Sequence, residues 1–263
     1  MGVHKTEAVV IGRRALGESD RLVEFYTREF GKVRGVAKSA RRPRSRFGSA
    51  LEPFTLGEMV FFDTGRSELV RVDHFDILHP FVGVREDLER LGRGAWVVEC
   101  LARLSPDRDP QPALFRLLVR GLEALETSRR PGWIAACFAV RAVDLLGHRP
   151  RIDRCAVCSR PYPFPGATLD VTAGGLICAR CGAGPEALAL SGGVVGTLKR
   201  LRGLRWEEAV RLSLAPSLEE ELGGVVDGLI ARLAGHLPRS SRFLAQMRRS
   251  LGRVAEPLPG SRP

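Results

Sequence analysis

The chain has 263 residues, 44% of them hydrophobic, with 41 Lys and Arg against 30 Asp and Glu, for a formal charge of +11. That length can bury a substantial core in two or three compact units, and no apolar run approaches the ~20 residues a membrane-crossing helix needs. The basic balance, with a pI near 10.2, points to a polyanionic partner and argues against a neutral metabolite or a small acidic protein.

Residues 5 to 80 read as β. Short apolar runs at Glu7–Ile11 and Arg21–Tyr26 precede a turn signal at Glu29-Phe30-Gly31, and Lys32–Ala37 makes a third run. Thr55–Phe62 and Glu68–Phe75 flank Asp63-Thr64-Gly65-Arg66, a hairpin-turn candidate. Five short strands suit a small, partly closed barrel; the OB-fold is the commonest five-stranded choice, and an SH3-like barrel fits the strand count nearly as well. Alternation makes Phe25 or Tyr26, but not both, a core residue.

From Val84 the period becomes helical. Leu88, Leu91, Ala95, Val98 and Leu101 predict one amphipathic helix over 84–105, ended by Pro106, Pro110 and Pro112. Leu114 to Leu125 marks a second helix, stopped near Pro131, and Trp133 to Leu146 a third, ended by Gly147 and Pro150. Gly193–Leu204, Pro216–His236 and Ser240–Leu251 predict three more. The expected architecture is α+β and multidomain. An OB-fold DNA-binding barrel covers 1–80, a helical domain has parts at 81–150 and 191–253, a zinc-binding module is inserted at 151–190, and a disordered tail occupies 254–263.

Two doublets, Cys155-x-x-Cys158 and Cys178-x-x-Cys181, are separated by 19 residues, inside the window of a four-cysteine zinc site. Each puts two thiolates on one turn, and two facing turns make a closed tetrahedron whose metal builds structure and does no chemistry. One structural Zn2+ per chain is therefore the expected cofactor. Two disulfides are the rival reading. No apolar h-region of a signal peptide follows His4, Lys5 and Glu7, and a reducing compartment favours zinc. Cys100 and Cys137 lie in apolar stretches and read as small buried hydrophobes.

The stretch from Lys32 to Arg46 holds seven basic residues (Lys32, Arg34, Lys38, Arg41, Arg42, Arg44, Arg46) and no acid. On one strand and the loop after it, these predict an electrostatic groove for a nucleic-acid backbone, the loop kept extended by Pro43 and the serines. Phe47 follows directly and is the candidate for stacking on a base. Lys199, Arg200, Arg202 and Arg205 form a candidate second DNA surface, and Arg239, Arg242, Arg248, Arg249 and Arg253 another acid-free stretch; either reads equally as the polar face of a packed helix. The five histidines, His4, His74, His79, His148 and His236, are isolated. No G-x-x-x-x-G-K-[ST] loop is present and the carboxylates form no clear cluster, so neither ATP binding, an enzymatic step nor a small-molecule substrate is expected.

Gly17-Glu18-Ser19-Asp20-Arg21-Leu22-Val23, then Phe25-Tyr26-Thr27-Arg28-Glu29-Phe30-Gly31-Lys32, resembles the N-terminal barrel of the RecO family of bacterial recombination mediators. So do Ala37-Lys38-Ser39-Ala40-Arg41-Arg42-Pro43, Ser45-Arg46-Phe47 and Leu51-Glu52-Pro53-Phe54, while Leu145-Leu146-Gly147-His148-Arg149-Pro150 before Cys155 is similar to that family's entry into its zinc module. The resemblance implies an OB-fold, a helical domain and a zinc-binding insertion in a cytoplasmic, nucleoid-associated bacterial protein. It further implies binding of single- and double-stranded DNA, annealing of complementary strands, and help in loading recombinase on SSB-coated DNA in the RecF pathway, with RecR and the acidic C-terminal tail of SSB as partners. Two other readings stand beside it. A zinc-ribbon transcription regulator needs a recognition helix, and no clear helix-turn-helix is visible; a metal-dependent nucleic-acid-processing enzyme needs converging carboxylates.

Overall fold

Apolar residues alternate along the five N-terminal strands, and both faces of that alternation are used. The structure is a computed structural model that describes residues 2–65 and 67–254. Strands β1 (Gly2–Leu16), β2 (Asp20–Thr27), β3 (Gly31–Ala37), β4 (Leu56–Asp63) and β5 (Leu69–His79) pair in the order β1-β2-β3-β5-β4. β1 pairs with β4 as well as β2, which closes the OB-fold-like barrel; β3 and β5 run parallel and every other pair antiparallel. Ala8, Val10, Val23, Phe25, Val33, Met59, Phe61 and Val72 fill the interior. The opposite side chains Val9, Ile11 and Tyr26 join the core of the helical domain. Phe25 and Tyr26 are thus both fully buried, contrary to the expectation from alternation, because helices and not water cover the outer face of β2.

Between β3 and β4 the chain coils through successive turns. The amides of Arg42, Ser45, Gly48, Ala50, Glu52 and Thr55 each donate to the carbonyl three residues back. Ala40, Phe47, Ala50 and Leu51 are buried in the barrel interior, so this segment is a plug and not the extended loop expected. The transfer of these apolar side chains from water drives the coil inward.

Eight helices follow among the described residues: α1 (Val82–Glu86), α2 (Leu88–Leu104), α3 (Pro112–Thr127), α4 (Pro131–Leu145), α5 (Gly192–Gly203), α6 (Trp206–Arg211), α7 (Pro216–Ala234) and α8 (Arg239–Val254). The single helix expected over 84–105 is broken at Asp87, whose carboxylate accepts the N–H of Arg90 at 2.8 Å and caps α2. Pro112, Pro131 and Pro216 stand in the first turns of α3, α4 and α7, where the missing N–H costs nothing. The short α6 was not foreseen; six residues with two buried positions give periodicity nothing to register. Between α4 and α5 lies a small sheet of β6 (Thr168–Asp170), β7 (Gly175–Ile177) and β8 (Leu188–Ala189), ordered β7-β6-β8.

The outer face of the barrel and the helices share one core, and the barrel interior is a second. At the junction, Gly31 adopts φ 63°, and a Cβ there would lie 2.2 Å from the carbonyl oxygen of Asp109; only glycine allows both the turn and that approach. No helix among the described residues is long and apolar enough to cross a membrane. The tail expected to be disordered lies, from residue 255 on, outside the described residues.

Candidate metal centre and nucleic-acid interface

Two tight turns build the metal centre. The N–H of Ala156 donates to Leu176 O at 2.7 Å, tying the first turn to β7, and the N–H of Cys181 donates to Cys178 O at 3.0 Å in the second. Ser159 (φ 60°) and Gly182 (φ 66°), each just after the second cysteine of its doublet, curl both turns back in the same sense. The four Sγ atoms lie within 4.8 Å of one another, with separations of 3.9 Å for Cys155–Cys181, 3.8 Å for Cys158–Cys178 and 3.7 Å for Cys178–Cys181. A tetrahedral ion at about 2.3 Å from each sulfur has edges of about 3.8 Å, whereas a disulfide needs about 2.05 Å. The cysteines are free thiols, so the geometry fits a metal ion and not the disulfide alternative.

The backbone prepares these sulfurs for a cation. The N–H of Cys158, with those of Cys178 and Val157, holds the Cys155 thiol down to about 6 against the opposing effect of burial. The N–H of Cys181 lowers Cys178. Cys181, hydrogen-bonded with the sulfurs of Cys158 and Cys178, is pushed up to about 12. The module is braced from both helical halves. Arg202 on α5 takes both carboxylate oxygens of Asp144 on α4 at 3.0 Å and donates to Pro150 O at 3.0 Å, while Lys199 lies over the ring of Tyr162 at 4.9 Å.

The barrel presents its cations at one rim. The plug docks on the β1–β2 turn: Arg41 donates its N–H to Ser19 O at 2.9 Å and a guanidinium N–H to Gly17 O at 2.8 Å. The N–H of Ser39 donates to Asp20 at 2.8 Å and holds that carboxyl below its ordinary range. Lys38, Arg41, Arg42, Arg44 and Arg46 all face solvent. Among the described residues Lys38, Arg42 and Arg44 have no ion pair, while Arg46 sits 3.5 Å from Asp73. Arg14, exposed near the end of β1 beside this rim, also has no ion pair among the described residues; its neighbour Arg13 pairs with Glu52, a distinction no local pattern shows.

Other candidates are occupied elsewhere. The Lys32 side chain is only 14% exposed; its Nζ donates to Ala102 O and to Ser105 O (2.9 Å) and pairs with Asp107 at 3.1 Å, pinning barrel to α2. Arg34 pairs with Glu68 and Asp107, at 3.0 and 3.1 Å. Phe47 is 3% exposed inside the barrel, with the Arg46 guanidinium 5.1 Å above its ring; its ring therefore offers no surface to a base, because the plug turns it inward. The 199–205 stretch is likewise divided. Lys199 and Arg200 are exposed, Arg202 is half-buried and paired with Asp144, and Arg205 pairs with Glu208 at 3.1 Å. A groove of about 550 Å³ opens between α3, α4 and the α5–α6 turn, floored by Leu117, Leu145 and Trp206 and lined by Arg116, Arg120 and Arg205.

These parts define a class: an OB-fold-like barrel with a cationic rim, fused to a helical domain that is interrupted by a four-thiolate module. Comparison with known proteins supplies the family. The family model described as Recombination protein O N terminal matches residues 1–81, and Recombination protein O C terminal matches residues 85–243. Similar proteins named DNA repair protein RecO include those of Geobacter metallireducens (37% identical over 247 residues, 92% of this chain and 95% of the relative) and Rubrobacter xylanophilus (36% over 244 residues, 90% and 94%). That of Myxococcus xanthus is 35% identical over 242 residues, 92% and 96%. The chain belongs to the recombination protein O family.

Proposed function

We propose that this protein is a non-enzymatic mediator of DNA repair and recombination, which binds single- and double-stranded DNA and anneals complementary strands without ATP. The observation that carries the reading is family membership along nearly the whole chain, joined to a rim where Lys38, Arg42 and Arg44 face solvent without ion pairs among the described residues. Annealing needs phosphate repulsion screened while bases pair, and unpaired cations on a rigid barrel supply that screening. The four thiolates hold one structural zinc, which fixes the module between the two helical halves.

In this reading the protein helps load recombinase on SSB-coated strands in the RecF pathway, with RecR as partner. The SSB tail is acidic and apolar. The groove of Leu117, Leu145 and Trp206 offers Arg116, without an ion pair among the described residues, beside Arg120 and Arg205, which pair with Glu207 and Glu208 and would have to exchange those partners for the tail's acids. The test is annealing of two labelled complementary strands without nucleotide or magnesium. Accelerated duplex formation with intact products is expected; no acceleration despite tight duplex binding defeats the mediator reading.

A further inference from the structure

The most arginine-rich helix among the described residues is absorbed by none of the sites above. α8 carries Arg239, Arg242, Arg248, Arg249 and Arg253 and no Asp or Glu, and the family match stops at residue 243. One side of α8 is fastened to α2. Leu244 and Met247 are buried, and a Cβ on Gly92 would meet Leu244 at 2.5 Å. Trp96 Nε1 donates to Ser241 Oγ at 3.0 Å. At its start, Glu99 of α2 accepts the N–H groups of Arg239 (2.8 Å) and Ser240 (3.0 Å) and the Ser240 hydroxyl (2.8 Å).

Arg239, Arg242 and Arg249 are exposed and have no ion pair among the described residues. Their spacing of three and seven places them on one stripe, away from the buried Ser240, Leu244 and Met247. The charges work against the helix itself. Two arginines in the first turn oppose the macrodipole, and neighbours three apart repel; the carboxylate that offsets them is borrowed from α2. A stripe held together at such a cost fits a ligand that neutralises it. Its length of roughly 15 Å is enough to meet more than one phosphate of a nucleic-acid strand. The apolar side of α8 is spent on α2 and so is not free to enter a lipid surface.

We propose that Arg239, Arg242 and Arg249 form a second contact for a nucleic-acid phosphate backbone, separate from the barrel rim. This rests on the DNA-binding reading above, and the test separates the two. The full chain, R239Q/R242Q/R249Q and K38Q/R42Q/R44Q are titrated onto a labelled single-stranded oligonucleotide across 50 to 200 mM salt. Each triple variant is expected to flatten the log–log salt slope by about 2, at about 0.7 per contact, which shrinks the affinity lost over that range by roughly 20-fold. Far-UV melting checks that α8 stays folded. R249Q alone, outside the capped first turn, should flatten the slope by about 0.7 even where the triple variant loosens the helix. A slope flattened by the rim variant but by neither α8 variant overturns the α8 contact and leaves the DNA reading intact. Absence of binding by the full chain overturns both.

Discussion

Lys32 was expected to touch DNA, yet its surroundings make it a bolt between domains, and Lys32→Met distinguishes the roles. The ammonium satisfies Ala102 O and Ser105 O, carbonyls at the C-terminal end of α2 that have no helical partner. Hydrogen bonds to a charged group contribute about 1.5–3 kcal/mol each, and methionine keeps the stem's packing while removing both. The ion pair adds little, since Asp107 is half exposed. A loss of about 3 kcal/mol follows once partial rehydration of the two carbonyls is allowed. For a chain of this size that lowers Tm by ~6–12 °C. The assay is thermal unfolding by circular dichroism, paired with the salt dependence of single-strand binding. A variant that melts with the wild type while its salt slope falls by about 0.7 would refute the pin and return Lys32 to the phosphate backbone.

Phe47→Ala should cost about 3–5 kcal/mol by opening a cavity in the barrel, seen as a lower denaturant midpoint with an unchanged DNA salt slope; weaker binding at undiminished stability would contradict its burial. Cys155→Ser should lose bound zinc, measured by elemental analysis, and melt earlier than wild type; zinc loss with normal melting would remove the structural role. The Glu99 carboxyl is lowered to about 2 from 4.5: burial raises it, but the N–H groups of Ser240 and Arg239, the Ser240 hydroxyl and Arg103 together outweigh burial. Because the folded value lies below the unfolded one, its stabilisation is complete above about pH 4.5 and lost as pH falls toward 2. Trp96, bonded to Ser241 of α8, reports detachment by fluorescence; Glu99→Gln should loosen α8 at neutral pH and flatten this acid step, and an identical acid profile would show that Glu99 does not hold α8.

What the chain states locally was legible without coordinates. Each C-x-x-C doublet is its own turn, so spacing alone announced the four thiols that the structure brings to distances a tetrahedral ion would fit. Strand alternation and helical periods are likewise properties of neighbours in sequence, and they placed the five strands and most of the helices. The strands could not show that both faces of β2 are covered, because the helices that bury Tyr26 lie far along the chain. Nor could a local pattern reveal that the β3–β4 segment would fold inward around Phe47. Which cations remain free of ion pairs was decided by tertiary structure alone. Lys32 meets carbonyls 70 and 73 residues away and Arg202 a carboxylate 58 residues away, whereas Lys38, Arg42 and Arg44 make no ion pair among the described residues. Charge is written in the sequence, but its neutralisation is a matter of distance in space, and folding alone sets that distance.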